Sequence, residues 1–289
     1  MSIDILQNKI RKMKNPAALW LCPTVGLIPP SLLEGNTAAN ACGSYCMELL
    51  EAVKESIPAV RVSFDAFAVF GPEGLTQLQA VLEKARSLGY YVILDWQHLE
   101  SGALAESSAD AILSREIWPC DAVTVSSFGG SEGVKPYIRA AGKKSVFVSV
   151  KTGNKSGSEL QDLQTGGRTV YMAAADLITR WGDSAVERCG YSRVAAVAGA
   201  VNSGSLRTLR QKYPRLFLLV EGLEVPGANA KNCSYAFDKM GYGALVCAGT
   251  SILGAWQEQE DGDYIAAHRR FLRFSAVSRA ALCRRRRAG

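Results

Sequence analysis

The chain has 289 residues, enough for one large or two medium domains. Its composition, 48% apolar and 21% charged, is that of an ordinary folded chain and excludes general disorder. The net charge of +6 is concentrated at one end: residues 264–289 hold eight arginines and no acid, and without them 25 basic residues face 27 acidic ones. Bulk charge therefore excludes a nucleic-acid-binding body and leaves only the run Arg284, Arg285, Arg286, Arg287 for such a role. A solvated terminus behind an amphipathic helix over 268–282 is the simpler reading of that run.

The opening Met1-Ser2-Ile3-Asp4-Ile5-Leu6-Gln7 has no basic start leading into an apolar run. No later stretch has the uncharged length of a membrane span, so a cytoplasmic protein without membrane association is expected. Eight cysteines scattered through apolar runs suit reduced, buried thiols. Cys42 and Cys46 stand one helical turn apart, but His98 and His268 are the chain's two histidines and neither is near in sequence. Two core or surface cysteines are expected there, and no metal or cofactor.

In chain order, short apolar runs predict strands over 17–22, 59–63, 91–95, 122–126, 145–151, 194–200, 216–221 and 244–248. Most lack period-two alternation, the mark of strands covered by helices on one face and packed on the other. Helical spacing falls between them. Pro72-Glu73-Gly74 opens a helix over 75–88 that Gly89 stops, and 171–181 and 206–212 follow the same pattern. Eight strands alternating with helices over about 250 residues predict an α/β fold, a (β/α)8 TIM barrel in a single domain. An open doubly wound sheet is the alternative, but no Gly-x-Gly-x-x-Gly follows the first strand. The domain reading is a barrel over 1–263 and a basic helix and tail over 264–289. Chemistry in a barrel belongs at the carboxyl ends of strands. Here those ends are Cys22, Arg61, Asp95-Trp96-Gln97, Ser126-Ser127, Thr152-Gly153-Asn154, Gly222-Leu223 and Gly249-Thr250.

Read in that order, these positions resemble the longer bacterial type of orotidine 5′-phosphate decarboxylase, which completes UMP synthesis. The resemblance runs from Lys14-Asn15-Pro16 to about Trp256. Its best blocks are Ala59-Val60-Arg61, Phe70-Gly71-Pro72-Glu73-Gly74-Leu75, Leu88-Gly89-Tyr90-Tyr91-Val92-Ile93-Leu94-Asp95 and Asp121-Ala122-Val123-Thr124-Val125. Glu159-Leu160-Gln161-Asp162-Leu163 and Val197-Ala198-Gly199-Ala200 add to it.

The resemblance also assigns the site, and there the chain departs from the family's pattern. The catalytic positions it implies are Arg61 (a lysine in the family) and Asp95, Gln97 and Glu100, which stand on the signature Asp-x-Lys-x-x-Asp. The substrate positions are Cys22 for the ribose-binding Asp, Gly153 for a base-contacting Ser, Pro226 for the phosphate-loop Gln and Thr250 for the phosphate Arg. Glu221 and Glu224 fall in the same phosphate loop and add negative charge.

Decarboxylation leaves a carbanion on the pyrimidine ring that needs a nearby cation and a proton, both supplied by the signature lysine. Gln97 supplies neither. Arg61 keeps a charge but holds its proton too tightly for acid work. Glu100 displaces a carboxylate by one methylene, about an ångström, where positioning matters. Thr250 makes no bidentate charged contact, and Pro226 removes a donor.

The expectation is therefore a pseudoenzyme, a non-catalytic or regulatory homologue related to pyrimidine biosynthesis. The resemblance implies a dimer in which the signature's last acid reaches the neighbouring site. The partners expected are a second copy or an active paralogue, and the substitutions argue against a nucleotide ligand. The alternative is a working orotidine 5′-phosphate decarboxylase or related lyase using Asp95, Glu100 and Arg61. Beside the site, Asp95 is expected to pair with Arg61, since an unpaired acid at a strand end is costly. His98 is expected to be a solvated or interface histidine and Trp96 a packing residue over the mouth. Lys151-Thr152-Gly153-Asn154-Lys155-Ser156-Gly157 lacks Walker spacing and reads as a strand-five turn whose lysines attract an anion at most.

Overall fold

A computed structural model describes residues 1–201 and 203–258. Eight parallel strands close on themselves, with β1 (Ala17–Leu21) bonded to both β2 (Ala59–Ser63) and β8 (Ala244–Ala248). Between them run β3 (Tyr91–Asp95), β4 (Ala122–Ser126), β5 (Ser145–Lys151), β6 (Ser192–Gly199) and β7 (Leu216–Glu221). This is the expected TIM barrel, and the open-sheet alternative is set aside by the β1–β8 pairing. Cys22 lies one residue beyond β1, and β6 is displaced two residues toward the N-terminus at its start and one at its end.

The strands read as continuous apolar runs because both faces are buried for different reasons. Outward residues such as Val60, Val62, Leu94 and Val123 meet the surrounding helices. Inward residues such as Ala59, Ile93, Ala122, Phe147, Val197, Phe217 and Leu219 fill the barrel interior. Each large side chain taken from water contributes about 1.5–3 kcal/mol to this core.

Helix α1 (Ile3–Met13) closes the barrel's amino end and was not expected from the sequence. Its Ile3, Leu6 and Ile10 fall on one face and join the interior cluster. Outer helices α2 (Ala38–Val53), α3 (Gly71–Ser87), α4 (Gly102–Ala109), α5 (Gly130–Ala140), α6 (Val170–Gly182) and α7 (Ser203–Lys212) alternate with the strands. Helix α2 begins where Thr37 accepts a hydrogen bond from the Asn40 amide at 3.2 Å, and it buries Cys42 and Cys46 against the barrel. Both are free thiols, and no metal-binding group of three or more His, Cys, Asp or Glu occurs among the described residues. A small antiparallel hairpin, Gln164–Thr165 with Arg168–Thr169, precedes α6. Its Gly166-Gly167 turn has positive φ at both residues, as a two-residue hairpin loop requires.

No helix among the described residues is long and apolar enough to cross a membrane. The segment 264–289, with the expected helix over 268–282 and Arg284 to Arg287, lies outside the described residues.

Candidate active site

Strand geometry decides which side chains reach the barrel mouth. Alternate residues point inward, and those that meet near the mouth include Trp20, Arg61, Asp95, Thr124, Ser149, Glu221 and Cys247. Arg61 is the third residue of β2 rather than its end, and its side chain is fully buried. Sequence reading placed it at the rim; inward alternation places it one layer down.

A buried guanidinium must be paired, and this one is paired twice. Its Nη2 donates to Asp95 Oδ1 at 2.7 Å and its Nη1 to Glu221 Oε2 at 2.8 Å. The guanidinium also lies 4.5 Å from the Trp20 ring centroid, a cation–π contact. Burial works against its charge, but the two carboxylates outweigh burial and hold the proton more tightly than usual. The expected Arg61–Asp95 pair is present. Glu221, read from the sequence as a charge repelling phosphate, is its second partner.

Asp95 collects further donors, from Thr124 Oγ1 at 2.7 Å and Gln97 Nε2 at 3.2 Å. The Gln97 carbonyl in turn accepts a short hydrogen bond from Ser149. Gln97 thus bridges β3 and β5 as a neutral link. Thr124 also accepts from the Trp96 amide at 2.9 Å, fixing the turn that presents Gln97. Thr124 and Ser149 were not singled out in the sequence, although both are polar inward residues in largely apolar strands.

Glu100 does not join this group. Its carboxylate accepts from Ser108 Oγ at 2.8 Å and, by a short bond, from Tyr137, so α4 and α5 of its own chain hold it. His98 Nε2 lies 2.9 Å from Asp65 Oδ1, and its ring packs tilted against Trp96 at 4.2 Å between centroids. Phe64 meets Trp96 edge-on at 4.4 Å and Trp118 at 5.8 Å. Trp96 is therefore a packing residue at the mouth, as expected, and His98 is tied to its rim.

On the opposite side three strand ends almost touch. A Cβ on Gly153 would sit 2.9 Å from Gly222 Cα, and one on Gly199 2.6 Å from Gly153 Cα. Only glycine permits this approach, which lets the Gly153 amide donate to Glu221 Oε1 at 3.2 Å. Lys151 faces away, paired with Asp162 at 2.7 Å, so of the two lysines in that turn only Lys155 stays exposed.

The loop after β7 turns twice, with the Val225 amide donating to Gly222 at 3.1 Å and the Ala228 amide to Val225 at 3.0 Å. Pro226 stands exposed on its outer side. The turns aim Glu224 at the start of the segment after β8. Its Oε2 accepts from the amides of Gly249 at 3.0 Å and Thr250 at 2.9 Å. Its Oε1 accepts from the Ser251 amide at 2.7 Å and from the Ser251 hydroxyl.

Cys22 and Thr250 line a cavity of about 640 Å³ with Val25, Ala66, Val69 and Phe70. Burial first, then the nearby Glu224 and Asp95 charges, push the Cys22 thiol up to about 12, against the opposing pull of Arg61. It is a neutral thiol. A second cavity of about 450 Å³ opens between Trp20, Gly222, Glu224, Thr250 and Gln257. The eight residues expected at the site therefore separate: Arg61, Asp95 and Gln97 form one network with Glu221, which Gly153 joins through its backbone. Cys22 and Thr250 line a neighbouring cavity, while Glu100 and Pro226 stand apart.

The family model for orotidine 5′-phosphate decarboxylase / HUMPS matches residues 39–263. The orotidine 5′-phosphate decarboxylase of Rhodopirellula baltica is 34% identical over 232 residues, covering 78% of this chain and 77% of the relative. That of Deinococcus radiodurans is 35% identical over 209 residues, covering 71% and 75%. Among solved structures, Leishmania donovani OMP decarboxylase superposes with a TM-score of 0.77 at 25% identity, covering 97% of this chain and 99% of that one. A Toxoplasma gondii structure at 22% identity shares the fold with a TM-score of 0.81, covering 97% and 98%. The matched length, the identity and the closed barrel agree, and the chain belongs to the orotidine 5′-phosphate decarboxylase / HUMPS family.

Proposed function

We propose that this family member, related to pyrimidine biosynthesis, has lost efficient decarboxylation and acts by binding, as a non-catalytic or regulatory homologue. One observation carries the reading: at the mouth's centre the residue on the signature-lysine position is Gln97, held between Asp95 and Ser149. An amide supplies neither the cation nor the proton that a ring carbanion needs. The neighbouring cation, Arg61, is committed to Asp95 and Glu221 and keeps its proton. The loss of a carboxylate at Cys22 and of a guanidinium at Thr250 supports the same reading.

The test is UMP formation from orotidine 5′-phosphate by full-length protein, purified from a host lacking its own decarboxylase. Turnover near that of ordinary family members overturns the proposal. It would favour the second reading, a decarboxylase or related lyase using Asp95, Glu100 and Arg61, which the 34–35% identity to decarboxylases supports.

The regulatory form of the proposal places the protein in the cytoplasm, in a complex with a second copy or an active paralogue. Leu99, Leu104 and Phe128 are 62%, 60% and 70% exposed around the turn that holds Glu100, an apolar edge that suits such a contact. Since Glu100 is bonded within its own chain, it would support that edge rather than complete a neighbour's site. Mixing the protein with an active paralogue and finding unchanged sedimentation and unchanged turnover would remove this form.

A further inference from the structure

We propose that Glu224 is a specificity-determining residue: its carboxylate occupies the place in the mouth that a ligand's phosphate would take, so the site favours ligands without phosphate. The inference deepens the loss of the family reaction and rests on that reading.

The contact is complete. Two carboxylate oxygens take three successive backbone amides, of Gly249, Thr250 and Ser251, together with the Ser251 hydroxyl. Amides at the end of the eighth strand, facing the loop after the seventh, are where barrels commonly cradle phosphate. Here both partners belong to the chain itself. The loop that would wrap a ligand's phosphate instead delivers an anion of its own, aimed by the turns at Val225 and Ala228.

The surroundings act in the same direction. Among the described residues, the cavity beside this contact is lined by Glu224 and by no lysine or arginine. The buried guanidinium of Arg61 already holds two carboxylates. A phosphate dianion entering would have to displace the Glu224 carboxylate from its three amides and the Ser251 hydroxyl. A nucleoside or other neutral ligand meets no such opposition and finds the Trp20 edge and the backbone at Gly222.

The experiment compares UMP, uridine and inorganic phosphate on the full-length chain at low salt, by calorimetry and thermal shift. Wild type is expected to bind uridine at least as tightly as UMP and to gain no thermal protection from phosphate. Glu224→Ala should shift the UMP-to-uridine affinity ratio at least about tenfold toward UMP, the scale of one charge-assisted hydrogen bond, and should gain protection from phosphate. Glu224→Gln keeps size and removes charge. It should shift the ratio in the same direction by less, and it decides the question if the alanine variant does not fold.

A wild-type preference for UMP of tenfold or more, or variants with unchanged ratio and unchanged phosphate response, overturns the assignment. If wild type binds neither nucleoside, the phosphate response of the variants decides alone. A chain that forms no UMP yet prefers UMP to uridine refutes this inference and leaves the loss of decarboxylation standing. One that turns over orotidine 5′-phosphate refutes both.

Discussion

Replacing Arg61 by Met keeps most of the side chain's volume and deletes the charge between Asp95 and Glu221. The two acids are 8% exposed each, so their charges cannot simply be handed to water. Some donors remain, from Thr124 and Gln97 to Asp95 and from the Gly153 amide to Glu221. The charge they faced does not. Removing one partner of a buried ion pair costs about 3–5 kcal/mol, and here one deletion strands two anions. For 289 residues, about 2.1 cal/mol/K per residue gives an unfolding entropy of about 0.6 kcal/mol/K, so Tm should fall by about 5–8 °C.

The pH dependence carries the sign of the cause. With the guanidinium gone the carboxylates repel, and acid relieves them by protonating one, so the deficit should be larger at pH 8 than at pH 5. Scanning calorimetry of wild type and Arg61→Met at both pH values measures this. Adding Asp95→Asn and Glu221→Gln to Arg61→Met should recover most of the loss. A fall in Tm below about 2 °C, or an equal deficit at both pH values, would refute the argument that this triad is a buried charge balance.

Other predictions test neighbouring parts of the mouth. Gly199→Ala drives a Cβ to 2.6 Å from both Gly153 Cα and the Thr152 carbonyl, and backbone cannot step aside as a side chain can. It should lose about 1–3 kcal/mol in urea unfolding, and full stability would mean that the three strand ends are not in contact. Tyr137→Phe removes a donor to Glu100 and should cost about 1–3 kcal/mol by the same measurement, with no change if Glu100 turns to solvent instead. Burial pushes the thiols of Cys22, Cys120, Cys233 and Cys247 up to about 12. These folded values lie above the unfolded value of about 8.5, so the neutral thiols stabilise below that pH and the benefit is lost as pH rises toward 12. Stability between pH 8 and 10.5 should therefore fall in wild type more than in a variant with Cys120 and Cys247 replaced by Ala.

The fold was legible because its signal repeats: eight apolar runs with helical spacing between them admit few architectures, and strand boundaries moved by at most two residues. Helix α1 escaped notice although Ile3, Leu6 and Ile10 already mark one face, because polar residues outnumber them. The hairpin before α6 had its own signal in Gly166-Gly167. The site was legible by position and less so by partnership. Asp95 with Arg61 followed from the cost of an unpaired acid, but 160 residues separate Arg61 from Glu221. Only barrel closure brings them together. Glu224 was harder still, since three of its four donors are backbone amides, which leave no trace in residue identity.

These partnerships bear on the proposed loss of decarboxylation. On that reading Gln97 and Thr250 stand where the family pattern has cations, while acids stand at Glu221 and Glu224. Unselected drift would leave the buried Glu221 unpaired, at a cost of several kcal/mol out of a total stability of about 5–15. Neither acid is unpaired. Glu221 meets Arg61 and the Gly153 amide, and Glu224 meets three amides and a hydroxyl. Each added negative charge comes with its own donors, and glycines at 153, 199 and 222 bring the strands close enough for one of them. A mouth whose charges are balanced from within fits the proposal of a chain kept for what the barrel binds or supports better than one of a chain drifting out of use.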